Sequence, residues 1–194
     1  KSELAGVDAV VAEGFEAGGH NGREETTTMT LIPIVANELK IPLIAAGGIG
    51  TGKGMFAAIS LGADGVQIGS RFVATPESSA HQNFKNTVVE TQDGGTELTL
   101  KELTPVRLIK NDFYKQVQTA YQNNASAKDI KELLGRGRAK KGMFEGDLVE
   151  GELEIGQIAG LINEIKPAAQ IVEEIITEYN QIKTEITTLD KYSF

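Results

Sequence analysis

The chain has 194 residues with 27 acidic and 19 basic side chains, a net charge of −8, and no cysteine. Absent thiols exclude disulfides, thiolate metal sites and cysteine nucleophiles, and an acidic balance without a basic stripe argues against nucleic acid as a partner. The composition, 40% hydrophobic and 24% charged, is that of a globular protein; no apolar run approaches the ~20 residues of a membrane helix, no signal peptide is visible, and a cytoplasmic location is expected.

In chain order, Val7 to Ala12 reads as a short buried strand, and it ends in Glu13-Gly14-Phe15-Glu16-Ala17-Gly18-Gly19-His20-Asn21-Gly22. A carboxylate, paired glycines and a histidine at the carboxyl end of a strand suit a ligand site. The glycines let backbone approach the ligand, and the histidine can titrate near neutral pH. A plain glycine-rich turn with a surface histidine is the competing reading. A helix is predicted from near Thr30, with Pro33 in its first turn and Ile32, Val35, Ala36 and Leu39 on one face. A second strand, Leu43–Ala46, runs into Gly47-Gly48-Ile49-Gly50-Thr51-Gly52 and a helix through Met55, Phe56, Ile59 and Leu61. A third strand, Gly65–Ile68, ends at Gly69-Ser70-Arg71-Phe72.

Three successive strand–loop–helix units with glycine after each strand argue for a parallel α/β architecture. Their loops share one face, where backbone amides and helix dipoles suit an anion such as phosphate. A further helix is predicted over Pro76–Phe84, with His81 on its surface. Residues 86–105 alternate like an extended excursion or strand pair around the turn at Asp93-Gly94-Gly95. Helices follow at Phe113–Tyr121 and, capped by Ser126, at Ala127–Leu134. Arg136 to Lys141 reads as a solvated basic loop, and Gly135 to Gly156 as a mobile lid or an exposed connection. Gly156, Ala159 and Gly160 permit either close packing or close approach to a cofactor. The last helix carries a stripe of Ile171, Ile175, Tyr179, Ile182 and Ile186, for docking on the domain or on a partner subunit. Two histidines far apart in sequence speak against a metal site.

Three segments, Glu13–Gly22, Ala45–Gly50 and Gly65–Phe72, resemble the FMN-dependent nitronate monooxygenases, formerly called 2-nitropropane dioxygenases. They are also similar to the flavin-dependent enoyl-acyl-carrier-protein reductases. The resemblance is dense over residues 3–85 and resumes at 156–176. It implies a TIM-type (β/α)8 barrel, with these motifs at its sixth, seventh and eighth strands and a helical lid or tail region added. The expected divisions are 1–85 for the last three βα units, 86–155 for a lid or insertion, and 156–194 for a segment packing back on the barrel. Such a piece leaves an open apolar sheet edge, and the chain begins at Lys1 without an initiator methionine, so a longer polypeptide is expected.

By the same resemblance His20 is the active-site histidine beside FMN and Glu13 contacts the ribityl region. Ala17, Gly18 and Gly19 lie against the cofactor, while Gly47, Gly48, Gly69 and Ser70 hold its phosphate. Asn21 and Arg23 to Glu25 receive no role. The implied chemistry is oxidation of an alkyl nitronate by FMN and molecular oxygen, with His20 orienting the nitro oxygens or acting as base. The alternatives are NAD(P)H-dependent reduction of an enoyl thioester or a quinone, with NAD(P)H as co-substrate, and a non-catalytic flavin-binding protein. An acidic surface suits an acidic carrier protein poorly, which favours the monooxygenase. Inosine-monophosphate dehydrogenases share paired glycine loops but need a cysteine, and a sugar-phosphate isomerase leaves Gly-Gly-His unexplained. A homodimer stays open.

Overall fold

Short apolar runs bounded by glycine turn into strands, and the helices between them bury one stripe each. In the computed structural model, which describes residues 1–188, a 3-10 turn at Glu3–Ala5 precedes β1 (Val10–Glu13) and the two-residue strand β2 (Gly19–His20). Then come α1 (Thr28–Ala36), β3 (Leu43–Ala46), α2 (Gly52–Ser60), β4 (Gly65–Gln67) and α3 (Ser70–Val73). The order continues with α4 (Gln82–Glu90), β5 (Thr96–Thr99), β6 (Val106–Ile109), α5 (Asp112–Gln122), α6 (Ala127–Leu134) and α7 (Arg138–Met143). A 3-10 turn at Gln157–Leu161 leads to α8 (Ala168–Thr188).

The predicted parallel sheet is present: β3 lies between β1 and β4, with Ala12 opposite Ala45 and Ala45 opposite Val66. Ile32, Leu43, Ala45, Ile49 and Ala58 form the core between this sheet and helices α1 and α2. Among the described residues β1 and β4 each have one unpaired edge, so the barrel is not closed. Val11 on the outer strand is half exposed. Among the same residues no helix is long and apolar enough to cross a membrane.

Several local expectations are corrected. Pro33 stands at the sixth residue of α1 rather than in its first turn; the amide it lacks would face the carbonyl of Met29, whose side chain lies on the exposed side. The helix expected over Pro76–Phe84 starts later. Pro76 and Ser78 belong to a turn tied by Thr75 and by the buried Lys85, whose Nζ donates to the Ser78 carbonyl at 2.8 Å. His81 then caps α4, its Nδ1 accepting from the amide of Asn83 at 3.1 Å. Val106 to Ile109, for which no element is predicted, are strand β6 of the antiparallel sheet β2-β6-β5. Ser126 caps α6 as expected, and Asp129 completes a capping box with it.

The glycine-rich stretch before Gly156 is neither exposed throughout nor loosely held. Leu153 and Ile155 are buried in the core with Phe84, Val88 and Ile109, and the Ile109 amide donates to the Leu153 carbonyl at 2.9 Å. Nor is the basic run a free loop: Arg138 donates to the carbonyls of Leu133, Leu134 and Glu150, and its guanidinium sits 4.4 Å from the Phe113 ring centre.

The stripe on α8 docks on α2. Ile171 and Ile175 are buried, and the Phe56 and Tyr179 rings lie 5.7 Å apart. A side chain at Gly52 would stand 2.4 Å from the Tyr179 amide and 2.5 Å from the Ile175 carbonyl, so the two backbones touch there. Gly52→Val is expected to lower stability by about 1–3 kcal/mol through overpacking, read as a lower urea midpoint of the purified protein; an unchanged midpoint would refute the contact.

Candidate active site

The loop after β1 is fastened on both sides before it reaches β2. From one side the Arg107 side chain, 2% exposed, donates through Nε and Nη2 to the Phe15 carbonyl at 3.1 and 2.9 Å. Its guanidinium also lies 4.9 Å from the centre of the Phe15 ring. From the other, the Glu16 carboxylate accepts from the amide and hydroxyl of Thr28, and the Gln157 amide donates to the Glu16 carbonyl at 2.9 Å. Asn21, assigned no role from sequence, closes the loop: its Nδ2 donates to the carbonyls of Ala17 and Gly19, each at 3.0 Å.

Where the carboxyl ends of β1, β3 and β4 meet, the chain surrounds a cavity of about 240 Å³. Glu13, Ala17, Gly18, Gly19, Gly47, Gly48, Gly69 and Ser70 all line it. Eight residues drawn from three separate loops thus share one space. His20 is not on the wall; it stands exposed on β2, next to Gly19. The walls that sequence reasoning missed come from the later chain: Met143, Glu154, Ile155 and Ile158. A signal for two of them was available, because Glu152-Leu153-Glu154-Ile155 alternates as a strand does. Gly156 lines the cavity, and its amide donates to Ser70 Oγ at 2.9 Å.

The glycines have more than one reason to be small. A side chain at Gly18 would stand 2.4 Å from the Gly156 amide, and one at Gly19 would stand 2.6 Å from Glu154 Oε2. Gly19 also has φ of +73°, a left-handed conformation that side chains disfavour. Those two positions therefore answer to the 154–156 segment as well as to the cavity. Gly69 differs, since it lines the cavity yet a side chain there would meet no atom within 4 Å. Ser70 Oγ accepts from Gly156, which leaves its hydroxyl proton to donate to an acceptor oxygen. At the start of α2 the anion held is a carboxylate of the chain itself: Glu178 Oε2 accepts from the Gly52 amide at 2.6 Å.

The electrostatics are acidic. Burial holds the Glu13 carboxyl above the usual carboxylate range. Burial does the same for Glu154, opposed by the His20 imidazole. Burial, followed by repulsion from Glu154, pushes Glu152 up to about 7, with Arg138 opposing.

The comparisons give this architecture a family. The nitronate monooxygenase family model matches residues 1–178, and the chain belongs to that family. It is 32% identical over 192 residues to a probable nitronate monooxygenase of Staphylococcus saprophyticus, covering 93% of this chain and 53% of the relative. It is similar to the structure of FabK from Thermotoga maritima, with 42% identity and a TM-score of 0.89 over 96% of this chain and 58% of that one. It also resembles nitroalkane oxidase from Streptomyces ansochromogenes, with 31% identity and a TM-score of 0.77 over 95% of this chain and 55% of that one. The chain thus spans little more than half the length of the relatives it matches.

Two outcomes follow from this geometry. Arg107→Met leaves the Phe15 carbonyl without its donors and is expected to cost about 1–3 kcal/mol of stability; Arg107→Lys recovers little of it, because an ammonium lacks the fork that two bonds to one oxygen require. Urea unfolding of the two variants checks both. Glu152 binds a proton more tightly folded than unfolded, so its contribution is present in full below about pH 4.5 and is lost as pH rises through about 7. Glu152→Gln is therefore expected to match the parent near pH 4.5 and to exceed it at pH 8 by about 2–3 kcal/mol, measured by urea unfolding at the two pH values.

Proposed function

We propose that this protein works in an FMN-dependent oxidoreductase that oxidises alkyl nitronates with molecular oxygen. The parallel sheet then corresponds to the last three strands of a β/α barrel. The observation that carries the reading is the shared cavity: loops from three strands bring Glu13, the Ala17–Gly19 backbone, Gly47, Gly48, Gly69 and Ser70 to one space, in a chain matched by the family over residues 1–178. The donor set fits a phosphate monoester. Gly69 lines the cavity and the Ser70 hydroxyl has a proton to give. Gly47, Gly48, Gly69 and Ser70 would hold the phosphate, Glu13 the ribityl hydroxyls, and Ala17 to Gly19 the adjoining part of the cofactor. When bound, FMN supplies the redox chemistry, and the protein supplies orientation and proton handling.

The chain's own groups divide that work. Arg107 and Asn21 set the loop that carries Ala17 to His20. The apolar wall of Met143, Ile155 and Ile158 excludes water from one side. His20, at the rim, donates a hydrogen bond from an imidazole nitrogen to the nitro oxygens, or accepts the α-proton of a neutral nitroalkane there.

The likeness to FabK favours a second reading, reduction of an enoyl thioester or a quinone with NAD(P)H, in which His20 polarises a carbonyl oxygen. The test is made on the purified protein without oxygen, following the visible flavin band as propionate-3-nitronate or NAD(P)H is added. Bleaching by the nitronate alone supports the proposal, and bleaching by NAD(P)H alone replaces it with the second reading. A flavin band that neither reagent changes points to a non-catalytic flavin protein. His20→Ala is expected to lower nitronate turnover by about 100-fold or more while the flavin content stays the same.

A further inference from the structure

The arm of chain that follows His20 has no task in the reading above. β2 pairs with β6 at Gly19 opposite Arg107 and His20 opposite Val106, and a strand of two residues is too short to hold itself. The pairing does not stop there. The Asn21 amide donates to the Pro105 carbonyl at 2.8 Å. Two residues on, the exposed Arg23 spreads its guanidinium over the opposite chain, Nη2 donating to the Leu103 carbonyl at 2.7 Å and Nη1 to the Lys101 carbonyl at 2.9 Å. Two residues further, the Glu25 carboxylate pairs with the Lys101 ammonium. Arm and turn thus keep one antiparallel register from Gly19 to Glu25, first through backbone and then through side chains.

The turn that receives the arm is fixed from the core. Leu100 is buried; its amide donates to the Tyr121 hydroxyl of α5 and its carbonyl accepts from the Leu103 amide, each at 3.0 Å. The Tyr121 hydroxyl in turn donates to the Glu102 carboxylate at 2.8 Å. The arm is exposed from Gly22 to Glu25, so its path there depends on what Arg23 and Glu25 grip. Glu25 has φ of +50°, in the left-handed region that side chains disfavour. Such a backbone persists only where its surroundings hold it.

We propose that Arg23 is a positioning residue for His20: its fork clamps the arm to the 101–105 turn and so holds the imidazole in place at the rim of the cavity. The inference rests on the role given to His20 above. A guanidinium suits this task, because its planar fork meets two carbonyls at once with charge-assisted bonds. The exposed pair of Glu25 and Lys101 adds less, since solvent and salt screen it. Arg23 is not among the residues that line the cavity. Its loss therefore acts through the place of His20 and leaves the flavin's own contacts intact, and a shift of about 1 Å at a reacting group can cost ~100-fold in rate.

The test compares Arg23→Ala and Arg23→Lys with the parent protein by amide hydrogen exchange, by the flavin band and by turnover of propionate-3-nitronate. The Asn21 amide reports on the clamp, and the Ile109 amide, which donates to the Leu153 carbonyl in the core, is the internal control. In Arg23→Ala the Asn21 amide is expected to exchange about tenfold faster or more, with Ile109 unchanged and the flavin retained. In the same variant kcat falls about tenfold or more while KM moves by less than about twofold. Arg23→Lys, whose ammonium lacks the fork, restores part of both effects. Unchanged Asn21 exchange in Arg23→Ala overturns the clamp whether or not the protein is active. Faster exchange with an unaltered kcat overturns the positioning of His20. Faster exchange in a protein whose parent turns over no nitronate upholds the clamp and overturns the proposed function instead.

Discussion

A single buried guanidinium joins the two sheets of this molecule. Arg107 belongs to the antiparallel sheet, yet its donors end on the carbonyl of Phe15, in the loop that leaves the parallel one. Desolvation lowers its pKa, while the fields of Glu97, Glu16 and Glu25 act against that. A buried cation held by a carbonyl is stable only where its geometry is fully met. Here the fork meets one oxygen twice, and the Phe15 ring covers its face. Fixing Phe15 in this way fixes the path from Glu13 to His20, and so the mouth of the cavity.

The cavity is consequently a junction and not a feature of either sheet. The parallel strands contribute glycine turns, which bring backbone to the space without side chains. The 143–158 region contributes the side chains that fill the other wall. Close approach of these two parts explains why Gly18 and Gly156 are both glycine: each leaves room for the backbone of the other. The Ser70 hydroxyl touches both, accepting from Gly156 while lining the cavity.

Much of this was legible in the residues. Val10 to Ala12, Leu43 to Ala46 and Gly65 to Gln67 are local apolar runs closed by glycine, and local signals of that kind survive folding nearly unaltered. Ser126 capping α6 and the stripe on α8 belong to the same class. What was not legible depended on distant partners. Arg107 carries no sequence signal, because nothing near it in the chain reveals the Phe15 carbonyl ninety-two positions away. Glu154 sits in a stretch whose glycines suggest looseness, while its burial comes from Phe84, Val88 and Ile109. Asn21 resembles any loop asparagine until the carbonyls it bridges are brought within reach. The shift of the helix start to Gln82 has the same origin, since the distant Met143 carbonyl accepts from the His81 amide just before it.

The contact between Glu178 and the start of α2 ties the end of the chain to its cavity. Glu178 satisfies the Gly52 amide, and the residues just before Gly52 are the loop that lines the cavity from Gly47 to Ile49. Docking of α8 and the shape of that loop are then two sides of one equilibrium. By thermodynamic reciprocity, any ligand that prefers the ordered loop must tighten the hold on α8 by the same free energy with which docked α8 favours the ligand. Occupancy of the cavity would then be visible at a distance, as slower amide hydrogen exchange along a helix that the ligand never touches.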